Sequence, residues 1–402
     1  MTDCVLTEAA VVTPNGVLDP GWVAVSGGRI AAIGRGPAPP PSERREAFLV
    51  EGAGRWVVPG FVDLHVHGGN GAQVNGSSPG EVQEAVREIA RFHVRHGTTS
   101  LLATAVSDTP ERLLATVEGV ADHIRLGDPQ GARVLGTHLE GPWLARVKTG
   151  AQDPATLREP SVDELQELLL AGRGLVRLIT IAPELRGAAE LIRTARSAGV
   201  RVAVGHTDAT FEQTVTAFSM GASHVTHLFN AMSGLHHRRP GAVTAALLHE
   251  EVTLEVIADL EHVHPAVLSL VARVAPGRVA AVTDAVPAAG LTPGSASLGG
   301  LDLALEGHRV VLASDPATLA GSALTMDRAL ANLVEIVGLG VPEAVQATAG
   351  TPAAVIGMHD IGVLRVGAVA DLALLGDGFV CEATMVGGHL VGEQGGAPAR
   401  RL

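Results

Sequence analysis

The sequence predicts an α/β protein whose two ends are built from β-strands alone. Residues 1 to about 58 contain short apolar runs broken by turn signals such as Pro-Asn-Gly and Asp-Pro-Gly, which is typical of short strands. From about 59 to 358, strand-like apolar runs alternate with helical ones, as in "TTSLLATAV" followed by "TPERLLATVEGVADHIRL". This alternation predicts parallel strands joined by crossover helices. From about 359 to 402 short strands and glycine turns return, and we expect this tail to complete the N-terminal sheet.

Length and composition limit the class of protein. With 402 residues, 46% of them hydrophobic, the chain can bury a large core, and its length allows one barrel-sized domain or two ordinary ones. We place a small β domain at 1–58 plus 359–402 and a larger α/β domain at 59–358. The two cysteines, Cys4 and Cys381, lie near opposite ends, which excludes a disulfide framework and fits a reducing compartment.

The net charge and the absence of targeting signals argue against nucleic-acid and membrane partners. The net charge of −13 argues against a nucleic-acid surface, since phosphate neutralisation needs clustered Lys and Arg, so an anionic substrate would need a local basic pocket. The sequence has no run of about eighteen uncharged apolar residues, and its N-terminus does not resemble a signal peptide. We therefore expect a cytoplasmic protein with no membrane partner.

A His-x-His pair ends the first apolar run of the α/β domain. In "VVPGFVDLHVHGGNG", His65 and His67 are two residues apart, so the period of a strand directs both rings to the same face. Two imidazoles on one face, before a glycine-rich loop, suit a metal ion. The pair alone is a weak signal, because two partly exposed polar residues would produce the same pattern.

Further metal-binding side chains follow other strand-like runs. They are Glu140 in "THLEGP", His206 in "VAVGHTDAT", His227 in "ASHVTHLFNAM" and Asp284 in "VAAVTDAV". In a TIM barrel the catalytic groups come from the carboxyl ends of several strands, so we expect these side chains to meet. Imidazole and carboxylate suit Zn²⁺ or a similar divalent ion, so we interpret Glu140 as a ligand rather than a salt-bridged core carboxylate. Asp284 is then left for proton transfer, and His138 is expected to orient the site rather than bind metal.

Seven motifs, in order along almost the whole chain, carry a family resemblance. They are "PGFVDLHVHGG", "HLEGPWL", "GHTDAT", "THLFNAM", "RRPG", "VTDA" and "LAGSALTM". Together they resemble the N-acetylglucosamine-6-phosphate deacetylase family of the amidohydrolase superfamily. The resemblance implies a metal-dependent (β/α)8 TIM barrel with a small β-sandwich domain formed by both termini. It also implies hydrolysis of N-acetylglucosamine 6-phosphate to glucosamine 6-phosphate and acetate, and a homodimer.

The resemblance implies roles for individual residues. Its principal metal ligands and its catalytic acid/base correspond to Glu140, His206, His227 and Asp284. Because His65 and His67 are intact, it allows one or two divalent ions per chain, with Zn or Fe expected. The implied sugar contacts correspond to Ala151, Asn230, Ala231, Leu319, Ala320 and Gly321. The positions implied near the phosphate are Arg238 and His262.

Three positions depart from the family pattern. Arg239 stands where the pattern has Glu, and Leu260 stands where it has Gly. Gln152 stands where a histidine that polarises the amide carbonyl is expected. Gln can still donate a hydrogen bond to the substrate, so we keep Gln152 among the substrate-binding residues, but it cannot carry a proton. These departures bear on which sugar is the substrate.

Two other function classes are open at this point. One is an amidohydrolase for another N-acylated sugar or for a cyclic amide, such as a dihydroorotase or hydantoinase. Those cyclic-amide enzymes have metal sites that are bridged by a carboxylated lysine on a strand. The sole lysine here is Lys148, eight residues beyond Glu140. The other is a non-catalytic sugar-phosphate binding protein, against which the presence of Asp284 argues, since a binder needs no general base.

Overall fold

The computed structural model describes residues 4–38, 48–291, 295–393 and 399–401. Eight parallel strands, each paired with its neighbour in chain order, form a barrel. They are Phe61–Val66, Thr98–Ala105, Arg133–Glu140, Val176–Ile181, Arg201–Val204, His224–Val225, Thr253–Ile257 and Val279–Val282. The Asp284 amide donates to the His65 carbonyl at 2.9 Å, which joins the end of the eighth strand to the first. The predicted α/β barrel fold is confirmed.

A helix follows each of the first seven barrel strands, as the alternation of patterns predicts. These helices are Pro79–His93, Pro110–Leu126, Val162–Ala171, Ala188–Ser197, Phe211–Met220, Gly241–Leu248 and Pro265–Val274. The final helical region contains Met326–Ala331, Val341–Val345 and Thr351–Val355. Local sequence determines where several helices begin: the Thr109 hydroxyl accepts from the Arg112 amide with Pro110 in the first turn, and Thr210 forms a capping box with Gln213.

A four-stranded antiparallel sheet is inserted after the eighth barrel strand, which the sequence analysis did not predict. Its strands are Ser295–Leu298, Leu301–Glu306, Arg309–Leu312 and Asp315–Ser322. Gly299 and Gly300, both with positive φ, make the two-residue turn of its first hairpin. Leu303 and Val310 pack with Val106 of the barrel in one apolar cluster. This cluster holds the inserted sheet against the carboxyl end of the barrel.

Both chain ends join in a separate nine-stranded sheet, as predicted. Its strands are Cys4–Thr13, Gly16–Ser26, Arg29–Arg35, Phe48–Glu51, Trp56–Pro59, Leu372–Leu375, Cys381–Val386, His389–Glu393 and Ala399–Arg401. Alternate residues of one strand face different cores: Leu374 packs within the sheet's own core and Leu375 packs against the barrel. The sheet is thus a second domain made from both termini, and the boundaries at 58/59 and 358/359 stay predictions.

No helix in the described part of the chain is long and apolar enough to cross a membrane. Cys4 and Cys381 are buried free thiols.

Candidate metal centre and active site

Six side chains of the types that can bind a metal ion converge at the carboxyl ends of five barrel strands. They fall into two groups, and within each group the candidate ligand atoms lie within 4.8 Å of one another. One group contains Glu140, His206 and His227, and the other contains His65, His67 and Asp284. All six are buried. The structure therefore brings together the five predicted metal ligands and the predicted catalytic Asp284, although they lie far apart along the chain.

In the first group, Glu140 faces two imidazoles. Its Oε1 lies 2.8 Å from His227 Nε2 and 3.2 Å from His206 Nε2. His206 Nδ1 donates to the Lys148 carbonyl at 2.7 Å, which selects the tautomer whose Nε2 lone pair faces Glu140. His206 and His227 have φ values of 44° and 27°, in a region unfavourable for residues with a side chain. Such strain is common where a fold aims a side chain at a functional site.

In the second group, two rings face one carboxylate oxygen. Asp284 Oδ1 lies 3.2 Å from His67 Nε2 and 3.5 Å from His65 Nε2. His67 Nδ1 donates to the Thr104 carbonyl at 3.1 Å, so its Nε2 is left as a ligand atom. Asp284 also has a positive φ, 51°.

Glu140 lies between the two groups. Its Oε1 is 3.5 Å from His65 Nε2, and its Oε2 is 3.3 Å from His67 Nε2. Because the Nδ1 protons of His67 and His206 are directed outward to carbonyls and the Nε2 atoms of both rings inward, the donor set fits a divalent metal bound by nitrogen and carboxylate oxygen. The position of Glu140 allows one carboxylate to serve both groups.

Glu255 is a site residue that the sequence analysis missed. It is fully buried, and it accepts hydrogen bonds from His65 Nδ1 at 3.2 Å, from His224 Nε2 at 2.8 Å and from the His227 amide at 3.3 Å. Glu255 thereby orients the ring of His65 in one group and the backbone of His227 in the other. Its signal was the one that identifies Glu140, a carboxylate within an apolar strand, here "VTLEVIA".

The ionisation of the site follows from burial and opposing charge. Burial disfavours ionised Glu140, but the rings of His65 and His206 outweigh it and hold the pKa of the carboxyl well below its ordinary value. Burial also disfavours ionised Asp284, and His65 and His67 lower the pKa of that carboxyl below its ordinary value. Both carboxylates are therefore anionic at neutral pH, which favours a bound cation.

His138 lies beneath the ligands and not among them. Its Nε2 is 2.8 Å from the Thr180 hydroxyl and its Nδ1 is 3.2 Å from the Leu64 carbonyl, so both ring nitrogens are occupied. Burial lowers the pKa of His138 to about 3. The ring is neutral and supports the strands that carry the site, as expected for an orienting residue.

A cavity of about 400 Å³ opens above the ligand groups. The predicted substrate residues that line it are Ala151, Gln152, Asn230, Ala231, His262, Leu319 and Gly321. The side chain of Ala320 points away and packs with Val286 and Leu303 in the apolar cluster under the inserted sheet. The cavity thus gathers most of the residues that the resemblance implied, while Ala320 could reach it only with backbone atoms.

Arg238 and His262 line different, adjoining cavities. Arg238, with Arg239 and His236, lines a second concavity of about 570 Å³, and Lys148 lines both. His262 lines the first cavity, where its Nδ1 lies 2.6 Å from Asp259 Oδ2. The two residues predicted near one phosphate are therefore not in one pocket of a single chain.

The turn that carries His262 contains one departure from the family pattern, at a position whose conformation favours glycine. Leu260 has a φ of 71°, a conformation that glycine adopts without strain. A leucine there costs about 1–2 kcal/mol relative to a right-handed conformation. Asp259 Oδ1 holds the turn by accepting from the amides of Glu261 and His262.

Known proteins that are similar to this chain identify its family. Residues 56–391 match the model of the amidohydrolase family. The chain belongs to the amidohydrolase family. This amidohydrolase is 36% identical to a protein named N-acetylgalactosamine-6-phosphate deacetylase from Escherichia coli O157:H7, over 96% of this chain and 98% of that one. It is also 36% identical to the Homo sapiens N-acetylglucosamine-6-phosphate deacetylase, over 87% of this chain and 85% of the relative.

A solved structure of a deacetylase is similar to this chain along almost its whole length. The amidohydrolase superposes with a TM-score of 0.88, at 37% identity, on a variant of N-acetyl-D-glucosamine-6-phosphate deacetylase from Mycobacterium smegmatis in complex with N-acetyl-D-glucosamine-6-phosphate. The match covers 97% of this chain and 99% of the other. The family resemblance predicted from the seven motifs is confirmed.

Proposed function

We propose that this amidohydrolase removes the acetyl group of N-acetylglucosamine 6-phosphate and releases glucosamine 6-phosphate and acetate. The observation that carries the proposal is the position of Asp284, a buried carboxylate that faces His65 and His67 on the floor of the cavity. A proton acceptor at this point distinguishes a hydrolase from a protein that only binds a sugar phosphate. The family and the names of its relatives support the same reaction.

We infer that Glu140, His206 and His227 hold the principal divalent ion, and that His65 and His67 give capacity for a second. Zn or Fe suits the imidazole and carboxylate donors. When bound, the ion supplies a Lewis acid that polarises the amide carbonyl and makes water more acidic.

Asp284 performs the proton transfers in the proposed reaction. Its lowered pKa keeps it ionised at neutral pH, so it can take a proton from the attacking water as the new C–O bond forms at the acetyl carbon. The protonated carboxyl then returns that proton to the amide nitrogen, and the C–N bond breaks to leave amine and acetate. The buried rings beside Asp284 keep this carboxylate aimed at the reacting atoms.

We further propose that Arg238 and His262 bind the phosphate and that the protein is a homodimer. A dianionic group in a protein of net charge −13 needs a local set of cations, and the second concavity concentrates Arg238 and Arg239. Because Arg238 and His262 line different cavities of one chain, a partner subunit that closes the pocket would bring the two together.

A second candidate substrate is N-acetylgalactosamine 6-phosphate. The relative named for that substrate matches almost its full length to this chain. The test is an acetate-release assay of metal-analysed protein with both N-acetylhexosamines, each with and without the 6-phosphate. Turnover of neither phosphorylated sugar, or turnover of a cyclic amide such as dihydroorotate instead, would contradict the proposal.

A further inference from the structure

The loop between the third barrel strand and the helix Val162–Ala171 contacts two members of the principal ligand group. Gln152 Nε2 donates to Glu140 Oε2 at 2.6 Å. The Lys148 carbonyl accepts from His206 Nδ1 at 2.7 Å. The sequence indicates a different use for this segment, in which Gln152 donates to the substrate. Its contacts point instead toward the metal ligands.

The orientation of the Gln152 carboxamide follows from its partners. The Ser107 amide, which can only donate, lies 2.8 Å from Gln152 Oε1. Glu140 Oε2 accepts from the other end of the carboxamide, Nε2, at 2.6 Å. The two ends of the carboxamide are therefore assigned without ambiguity, and the side chain, 4% exposed, spans from the second barrel strand's end to Glu140.

This contact separates the two oxygens of Glu140. Oε2 is held by Gln152, whereas Oε1 faces the Nε2 atoms of His206 and His227. A carboxylate anchored through one oxygen cannot rotate away from the two rings, and the Lys148 carbonyl restrains one ring in the same way.

We propose that Gln152 is a positioning residue for the metal site: it anchors Glu140 so that Oε1 stays directed at the Nε2 atoms of His206 and His227, the residues that would hold the ion with it. The loop that carries Gln152 and Lys148 is thereby coupled to metal binding. This inference rests on the proposed function, since it concerns the ion that the reaction needs.

The first test measures metal affinity and not turnover. Metal-free wild-type protein and Gln152→Met are titrated with Zn²⁺ against a chelating indicator. Methionine keeps the side-chain volume but removes both hydrogen bonds, so we expect affinity to fall about 10- to 100-fold, as for other residues that orient metal ligands. If this variant does not fold, Gln152→Asn carries the same test, because its shorter side chain cannot reach Ser107 and Glu140 together.

A matched control separates positioning from general damage. Asn75 is also a buried carboxamide near the site, and it bonds the Val106 backbone and Asp108 but no metal ligand. Asn75→Leu should lower the free energy of unfolding and leave Zn²⁺ affinity within about twofold of wild type, because no metal ligand loses a partner.

The second test uses the unique lysine. A protease specific for lysine can cut this chain only after Lys148, and the carbonyl of that bond is the one held by His206. Saturating Zn²⁺ should slow this cleavage roughly tenfold or more in the wild type, because ligand binding suppresses opening. At a Zn²⁺ concentration that fills the wild type but not Gln152→Met, the variant should be cut faster.

The possible failures are distinguishable. Wild-type protein that binds no divalent metal would overturn the proposed function itself. Wild-type affinity in Gln152→Met, or in Gln152→Asn where that variant carries the test, would overturn only the positioning role. If kcat nevertheless fell in that variant, Gln152 would be a substrate contact.

Discussion

The floor of the active-site cavity and the adjoining second concavity, here called the mouth, are built in opposite ways. On the floor, the five proposed ligands and Asp284 are buried, and His65, His67 and His206 are each fixed through Nδ1 by a carbonyl or by Glu255. At the mouth, Arg238 and Arg239 are exposed, and within the described ranges no carboxylate pairs with either guanidinium. Lys148 pairs only loosely with the half-exposed Asp208, at 3.4 Å.

The difference teaches how chemistry and recognition are divided in this fold. Groups that act on reacting atoms must be held within a fraction of an ångström, so their partners are internal and buried. Cations meant for a ligand gain most when no internal partner competes for them. Changes on the floor should therefore alter kcat or metal content, whereas changes at the mouth should alter KM.

The largest expected effect is on the floor, at Asp284. Asp284→Asn removes the proton acceptor while keeping shape, so kcat should fall by about two to four orders of magnitude with the fold and at least one metal ion retained. Steady-state kinetics with metal analysis and circular dichroism check this. Near-normal kcat would show that Asp284 does not transfer the proton.

The second prediction concerns the number of ions on the floor. Replacing both His65 and His67 by Asn should lower metal stoichiometry without emptying the site, because Glu140, His206 and His227 remain. Elemental analysis of metal-replete wild type and variant is the measurement. A wild type that never exceeds one ion per chain would mean that the pair supports the site structurally.

At the mouth, the change should be smaller and confined to binding. Arg238→Ala should raise KM for the phosphorylated sugar by about 10- to 100-fold, corresponding to roughly 1.5–3 kcal/mol for a lost charge-assisted hydrogen bond. The unphosphorylated sugar should be scarcely affected. An equal loss for both sugars would place Arg238 in support of the fold and would weaken the contrast between floor and mouth.

The smallest expected effect is a loss of folding stability at acidic pH, caused by a buried histidine behind the floor. His93, which lies behind the loop after His67 and bonds the Gly68 carbonyl, has its pKa lowered to about 4 by burial. The unfolded chain, with an ordinary histidine pKa near 6.5, therefore binds the proton first as pH falls. Stability should be lost from about pH 6.5 down to pH 4, with a slope of up to about 1.4 kcal/mol per pH unit from this residue.

Urea unfolding of metal-free protein across that pH range tests the sign. His93→Gln should flatten the slope by roughly one proton. A wild type whose free energy of unfolding rose toward pH 4 would contradict the direction.

The candidate metal ligands show how much of the site could be predicted from the sequence. His65 and His67 were predictable because strand period places both rings on one face, and Glu140 because a carboxylate at the end of an apolar strand is unusual. Glu255 carried the same signal inside its strand but was missed, since nothing local distinguishes a buried supporting carboxylate from a ligand. The inserted sheet at 295–322 was missed as well, although Gly299 and Gly300 mark its hairpin.

By itself the sequence determined the fold class, the strand-end placement of the ligands and the family, because periodicity, turn residues and donor type are local properties. Tertiary structure alone decided which atoms face each other. The Lys148 carbonyl that selects the His206 tautomer is 58 residues away along the chain, and the Glu140 oxygen that Gln152 occupies was not predictable from either residue. Likewise, the separation of Arg238 and His262 into adjoining cavities depends on how loops that are distant in sequence pack together. Both hydrogen bonds and cavities depend on distances and angles between residues far apart in sequence, which only the folded chain defines.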